Sequence, residues 1–293
     1  MPLSASDIQD TELRANAIRE SIVSMLLEAG SGHTAGPLGM ADVFAAFYMH
    51  VLRHDPKRPD WPGRDRVVLS NGHICPVLYA TMAHSGYFPV SELKTLRKLG
   101  SRLQGHPHRE FLPMLENSSG PLGSGMSQAV GMALADRIDA GGREAGRATE
   151  RRIYCFTSDG EHDAGNTWEA ALLAGKERLN NLIAVVDRNN IQIDGYTEDV
   201  MPLEPFVEKY ITFGWHVIEI DGHDIAEIVR AFETAKAVFE KPTMIVAHTI
   251  PGKGVAEFER KYEWHGKAPN REEAAMALRE LRTLGGRIRS EHE

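Results

Sequence analysis

Cysteine is almost missing: the 293 residues hold two, Cys75 and Cys155. That excludes a disulfide framework and a multi-cysteine zinc site, and it fits a reducing, cytoplasmic setting. Positive charge is not in excess either. Lys+Arg is 33 against 41 Asp+Glu, a net −8, which argues against a nucleic-acid backbone as main partner. No apolar run approaches the roughly 18 residues of a membrane span. The N-terminus, Met-Pro-Leu-Ser-Ala-Ser-Asp, lacks a basic segment followed by an apolar one, so no secretory signal is expected. No internal repeat or low-complexity tract stands out. What remains is ordinary globular composition, with 42% apolar and 25% charged residues, and a length that suits a large α/β domain with a sizeable core.

Thr11–Ala29 reads as an amphipathic helix, with Leu13, Ala17, Ile22, Leu26 and Ala29 on one face and Gly30 as its C-cap. A second helix is expected over Met40–Leu52. A connection follows, with Pro56, Pro59 and Pro62. Five short apolar runs read as buried strands: Arg66–Leu69, Ile153–Thr157, Leu182–Asp187, Val217–Ile220 and Met244–Ala247. Helical patterns alternate with them at Val77–His84, Ser91–Leu99, Ser127–Ala140, Thr167–Arg178 and Ile225–Phe239. The alternation predicts an α/β fold, an open and mostly parallel sheet with helices on both faces. No linker divides the chain, so residues 1–293 are expected to form a single domain. A surface loop is expected at Ala140–Glu150, a helix at Glu272–Thr283 and a frayed end at Arg287–Glu293.

The chemistry concentrates in Ser158–Gly195. One strand ends at Ser158-Asp159-Gly160, and the next ends at Arg188-Asn189-Asn190-Ile191. Ligands of open parallel sheets sit beyond the carboxyl ends of strands. Asp159 and Asn189 occupy equivalent ends, thirty residues apart. One carboxylate and one amide oxygen suit Mg²⁺, which takes few protein ligands and fills its shell with phosphate oxygens and water. Gly160 would let a phosphate approach the backbone. Asp-Gly alone is more often a plain turn; the whole unit of strand, Asp-Gly, helix, strand and Asn-Asn is far more specific. Most of the 13 histidines have a bland structural reading. The His106-x-His108 pair has no third strong ligand nearby, so no zinc site is expected. His162, His223 and His248 are assigned no role, and Trp168, Trp215 and Met132 read as core or interface.

Ser158-Asp159-Gly160 with Asn189-Asn190 resembles the thiamine-diphosphate motif, usually Gly-Asp-Gly followed about thirty residues later by Asn-Asn. Other words resemble transketolase in order. They are Ser31-Gly32-His33, Gly36 to Asp42, Asp65 to His73, Gly105-His106-Pro107, Ser119 to Gly125, Gly252-Lys253-Gly254-Val255 and Trp264-His265-Gly266. The resemblance covers nearly the whole chain.

The resemblance implies a subunit carrying only the first, thiamine-diphosphate-binding region. The pyrimidine-binding and C-terminal domains are then expected on a partner chain, in an α₂β₂ assembly. It implies transfer of a two-carbon ketol unit between sugar phosphates, in carbohydrate metabolism of the pentose phosphate kind. It implies that Asp159, Asn189 and the Ile191 carbonyl hold Mg²⁺ (or Ca²⁺ or Mn²⁺). Gly160 would serve the diphosphate, and Gly120-Pro121-Leu122 would lie against the aminopyrimidine. His33 and His265 would bind substrate hydroxyls and assist proton transfers, with His265 also near the cofactor. His73 would contact the cofactor or the donor C1 hydroxyl, and His106 the C1 hydroxyl. Imidazole suits a reaction that moves protons near neutral pH. The family's pyrimidine-contacting glutamate lies in the missing region, so the chain alone is expected to be inactive.

Three departures bear on this. Ser158 replaces the first Gly of the motif and requires a backbone that does not need positive φ. Ala164 replaces a family glutamate of the network between active sites, with Glu161 and Asp163 nearby. Ile74-Cys75-Pro76 replaces small residues, although Pro76 can open a helix. The alternatives are another thiamine enzyme (deoxyxylulose-phosphate synthase-like or a specialised ketol transferase) and a non-catalytic subunit that keeps the fold. A dehydrogenase-type Rossmann domain is disfavoured, because no strand runs into Gly-x-Gly-x-x-Gly.

Overall fold

The computed structural model describes residues 3–141 and 151–283. The expected loop at Ala140–Glu150 falls outside them beyond Gly141, as does the expected frayed end Arg287–Glu293. Helix α1 spans Ala5–Ala29 and opens on a Ser4/Asp7 capping box, in which the Asp7 N–H donates to Ser4 Oγ at 3.1 Å. That cap starts the helix six residues before the expected Thr11. Gly30 closes it in the left-handed region, φ 64. Then come α2 (Ala35–Gly39), α3 (Ala41–Ala46) and a π turn (Phe47–Val51), in place of one helix over Met40–Leu52. Strand β1 is Arg66–Leu69, and α4 (Cys75–His84) follows with Pro76 in its first turn.

The expected helix Ser91–Leu99 does not form. A 3₁₀ turn, Val90–Thr95, stands there, and Arg97 takes φ 61. Leu93 and Leu96 are buried but Leu99 is fully exposed, so the apolar stripe is too short to seat a helix. The remaining helices are α5 (Ser124–Asp139), α6 (Gly165–Glu177), α7 (Thr197–Val200), α8 (Phe206–Thr212), α9 (Ile225–Lys236) and α10 (Arg271–Thr283). Strands β2 (Ile153–Ser158), β3 (Leu182–Arg188), β6 (His216–Asp221) and β7 (Thr243–His248) match the expected runs within two residues. An unexpected hairpin, β4 (Ile191–Gln192) with β5 (Gly195–Tyr196), follows β3.

The main sheet is parallel throughout, in the order β1-β2-β3-β7-β6. Its central strands, β2, β3 and β7, are buried on both faces, which is why they read as continuous apolar runs, while the edge strands β1 and β6 are only partly covered. Tyr154, Phe156, Ile183, Val185 and Ile245 face the core under α1, α3, α4 and α9. Ile153, Cys155, Ala184, Val186 and Met244 face the core under α5 and α6. The β2-to-β3 crossover runs over one face through α6 and the β6-to-β7 crossover over the other through α9, so the loops at the carboxyl edge part into a crevice. Both cysteines are free and buried. Among the described residues, no helix is long and apolar enough to cross a membrane.

A buried ionic network fixes α1 and α3 under that edge. The Arg19 guanidinium forks onto Asp42 at 2.9 and 2.6 Å and donates to the Leu38 carbonyl at 3.0 Å. His223 Nδ1 donates to Asp42 at 2.8 Å, and its Nε2 accepts the Ile250 N–H at 2.8 Å. Burial alone would raise the Asp42 carboxyl, but the Arg19 charge and the His223 hydrogen bond outweigh it and hold it well below the usual range. Its contribution to stability is therefore full above the ordinary value of 3.8 and is lost as pH falls below it. Arg19→Met leaves a buried carboxylate short of its cation, so it should destabilise the chain by about 3–5 kcal/mol in urea unfolding at pH 7. The pair Arg19→Met with Asp42→Leu should recover most of that loss. Equal loss in both variants would show that packing, not charge, dominates there.

Candidate active site

The loops leaving β2 and β3 meet at the carboxyl edge, where Ser158 pairs with Asp187 across the two strands. Asp159 is wholly buried. Its Oδ1 accepts the Gly160 N–H at 2.8 Å, and its Oδ2 accepts the Asn190 N–H at 2.6 Å and a looser Arg188 contact at 3.3 Å. Burial pushes its carboxyl up to about 6, against the pull of Arg188 and those N–H groups. Asn189 is oriented by a residue that sequence reasoning passed over. Its Nδ2 donates to Asp187 Oδ2 at 2.7 Å, which fixes the amide so that Oδ1 faces the other way and accepts the Ile191 N–H at 3.0 Å. The Thr249 hydroxyl secures Asp187 from the end of β7. Burial pushes the Asp187 carboxyl up to about 7, with the neighbouring Asp159 adding to it.

Arg188 is itself held by Glu198 and Glu204, both at 2.7 Å, so its cation is shared among three carboxylates. Ser158 ends β2 and is not among the residues with positive φ, so serine costs the motif no backbone strain. Gly160 leads a 3₁₀ turn, Gly160–Asp163, and a Cβ there would stand 3.2 Å from Gln192. Ile191 lies in the hairpin, directly after the Asn189-Asn190 pair.

Four sequence-distant loops bring His33, His73, His106 and His265 together. Ring centroids lie 4.9 Å apart for His33 and His73, 5.5 Å for His33 and His265, 5.2 Å for His73 and His265, and 6.5 Å for His33 and His106. The Thr34 hydroxyl donates to the Lys267 carbonyl at 2.5 Å and joins the first loop to the last. Gly72, beside His73, has no room for a Cβ, which would stand 2.1 Å from Ser119 Oγ. The Ser119 N–H donates in turn to the Pro107 carbonyl at 3.1 Å. The loops of His73, His106 and Gly120 therefore converge. Burial pushes His33 down to about 4 with help from the charges around it, drives His73 well below its ordinary value, and lowers His106 and His265. The buried Nδ1 atoms of His33 and His265 have no hydrogen-bond partner.

The strand-end region and the histidine cluster are contiguous. A Cβ on Gly266 would lie 3.4 Å from Ile193 of the hairpin turn and 3.9 Å from His33 Nε2. Gly120, Pro121 and Leu122 precede α5; Pro121 and Leu122 are exposed, and Gly120 has open space around its Cα. Other expected positions fall elsewhere. His108 stacks on Phe111 at 4.5 Å rather than on the cluster, and His162 is caged by Phe206, Tyr210 and Trp168. His223 belongs to the Asp42 network, and His248 pairs with exposed Glu219. Trp215 is core, donating from Nε1 to the Ala171 carbonyl, while Trp168 and Met132 pack at the edge of the same core. Among the described residues no three His, Cys, Asp or Glu side chains gather as a metal cluster. A site of one carboxylate, one amide oxygen and one carbonyl is not of that kind.

Among known proteins, the family described as transketolase, thiamine diphosphate binding domain, matches residues 10–285. The chain is 43% identical over 276 residues to the 6-deoxy-6-sulfo-D-fructose transketolase subunit SqwG of Clostridium sp. (strain MSTE9), covering 94% of this chain and 98% of that one. It is 35% identical to one of the subunits of the apulose-4-phosphate transketolase of Phocaeicola vulgatus, over 94% of each. The solved transketolase of Leishmania mexicana superposes with a TM-score of 0.87 at 36% identity, over 92% of this chain and 41% of that one. The chain thus spans about two fifths of the solved transketolase chain it matches. It belongs to the transketolase family, as the N-terminal, thiamine diphosphate-binding component of such an enzyme.

Proposed function

We propose that this component acts in the cytoplasm with a separate C-terminal subunit, which brings the pyrimidine-binding and C-terminal domains, in an α₂β₂ assembly. Residues 1–293 then form the diphosphate-binding domain alone. The reaction is transfer of a two-carbon ketol unit from a ketose donor to an aldose acceptor, each ending in an anionic group such as phosphate. The observation that carries the reading is the cluster of four neutral imidazoles beside the buried Asp159–Asn189 pair. Two relatives that this chain matches nearly end to end are named as transketolase subunits, which supports a divided enzyme. Exposed Ile193, Tyr196, Val200 and Met201 on and after the hairpin are apolar surface that a second subunit would cover. Two free buried cysteines fit a reducing compartment.

The donor set suits a hard divalent cation. Asp159, Asn189 Oδ1 and the Ile191 carbonyl would hold Mg²⁺, Ca²⁺ or Mn²⁺, and Asp187 keeps the Asn189 oxygen available by binding its nitrogen. Gly160 would leave space for the diphosphate, and Gly120-Pro121-Leu122 for the aminopyrimidine. Thiamine diphosphate supplies, when bound, the stabilised carbanion chemistry that breaking and making a ketose C–C bond requires. The chain's own work is to orient the sugar and move protons. An imidazole held neutral can accept the hydroxyl proton that leaves as the C–C bond breaks, and can return it to the product. His33 and His265 would take this task through the ring nitrogen opposite their buried Nδ1, and His73 and His106 would hold the donor's C1 hydroxyl.

Ketol transfer should appear when the chain is mixed with its partner and be absent from the chain alone. Full activity of the isolated chain would defeat the divided-site reading. Asp159→Ala in the mixture should weaken metal-dependent cofactor binding by at least the roughly 10–100-fold that disturbing a ligand's support costs. His33→Ala should lower kcat/KM by about 100-fold or more. The histidine cluster also carries a pH signature. The folded pKa of His33 lies below its ordinary 6.5, at about 4, so the neutral ring is favoured and its contribution to stability is lost as pH falls from 6.5 toward 4. Nitrogen NMR of the imidazoles should show His33 neutral from pH 8 down to about 5; a midpoint near 6.5 would remove the argument for a standing base.

A further inference from the structure

We propose that Glu161 is a positioning residue of the cofactor site, tying the loop Gly120–Gly123 to the Asp159 turn and to the end of β1. The inference rests on the functional reading above and deepens it. Glu161 lies two residues past Asp159 and is buried to 1% exposure. Its Oε1 accepts the Ser70 hydroxyl and the Gly123 N–H, the latter at 2.6 Å, and its Oε2 accepts the Ser158 N–H at 3.2 Å. These donors come from three segments, each of which leads into the site. Ser70 precedes Asn71-Gly72-His73, Gly123 follows Gly120-Pro121-Leu122, and Ser158 precedes Asp159.

No cation pairs with this carboxylate among the described residues, and its charge is met by hydroxyl and backbone donors. One of those donors, Gly123, is the N-cap of α5, where unpaired N–H groups favour an anion. Gly123 itself cannot shift to another residue type without strain. It sits at φ +83, and a Cβ would stand 2.1 Å from Asn166 Oδ1. The position of Gly120–Leu122 is therefore set by a glycine hinge on one side and a carboxylate on the other. The Asp159 turn has a second anchor: His162 Nδ1 lies 2.8 Å from the Ser158 carbonyl and His162 Nε2 lies 2.8 Å from the Tyr210 hydroxyl. Loss of Glu161 should then free the Gly120 loop while the turn stays fastened to α8.

Chemistry makes the carboxylate hard to replace. Both backbone donors need an acceptor, one on each oxygen. Glu161→Gln offers one oxygen and one NH₂, so one N–H must face another donor; the Ser70 hydroxyl can rotate, but a backbone N–H cannot. Ser70→Ala removes one donor and leaves both backbone bonds intact.

The test uses the full chain with its partner subunit. Thiamine diphosphate is titrated calorimetrically in Mg²⁺, and amide exchange is followed in the full chain without cofactor. Glu161→Gln should weaken cofactor affinity by about 10-fold or more. Its kcat at saturating cofactor should stay within about threefold of wild type, and exchange should quicken at residues 119–124 but not at 206–212. Ser70→Ala should cost about threefold, and the double variant no more than Glu161→Gln alone. Affinity within twofold of wild type in Glu161→Gln would overturn the proposal. So would an affinity loss matched by faster exchange throughout the chain, which marks a general loss of stability. A wild-type complex that binds no thiamine diphosphate would overturn the functional reading and the cofactor role together, whereas unchanged exchange at 119–124 would sink the tie by itself.

Discussion

Three carboxylates lie buried at the neighbouring carboxyl ends of β2 and β3: Asp159, Glu161 and Asp187. A buried carboxylate without donors is costly enough to give up its charge. Besides a local donor, each of these draws on a chain segment remote from itself. Asp159 draws on Asn190 and Arg188 from the end of β3, Glu161 on Ser70 and Gly123, and Asp187 on Thr249 from the end of β7. Satisfying the charges and assembling the loops are one event. The ends of β1, β2, β3 and β7 and the start of α5 are fixed relative to one another by the hydrogen-bond donors that these buried side chains require.

The histidines obey the opposite rule. Imidazole can be buried cheaply if it stays neutral, and mutual proximity adds to the cost of charging any one ring. The loops of His33 and His265 need no charge pair to hold them; the Thr34 hydroxyl and close-packed glycines do it. The result is a surface with one negative, oxygen-rich end and one neutral, nitrogen-rich end, joined at Ile193 and Gly266. A divalent diphosphate suits the first end when a cation is present, and hydroxyl groups losing or gaining protons suit the second.

The centre of the sheet was legible in the sequence because a parallel strand buried on both faces leaves an unbroken apolar run. The hairpin at 191–196 was not, because strands of two residues carry no period. Ser91–Leu99 misled because Leu93, Leu96 and Leu99 keep helical spacing, while Arg97 and Gly100 take positive φ and turn Leu99 to solvent. Asp159 and Asn189 were legible from their equivalent strand ends, and the four histidines from resemblance rather than from any spacing. Asp187 and Glu161 stayed hidden for separate reasons. Asp187 closes an apolar run, and its Thr249 partner lies 62 residues further along. Glu161, beside Asp-Gly, looks like one more turn residue until its partners are known.

The substitution at Ala164 gains a physical meaning from the same turn. Position 164 is the N-cap of α6, half-buried, with no side-chain cap, while position 161 points inward beneath the Gly123 loop. Glu161 is buried, with both oxygens bonded to donors within this chain, which turns it away from a network that leaves the chain. Asp163 is exposed and accepts from Gln192 Nε2 at 3.1 Å, which joins it to the hairpin rather than to α6. Neither neighbouring carboxylate is therefore free to take over the role of a glutamate at 164. The turn therefore keeps Asp159 and Glu161 buried and bonded within the chain, and at 164 it presents only a methyl group at the start of α6.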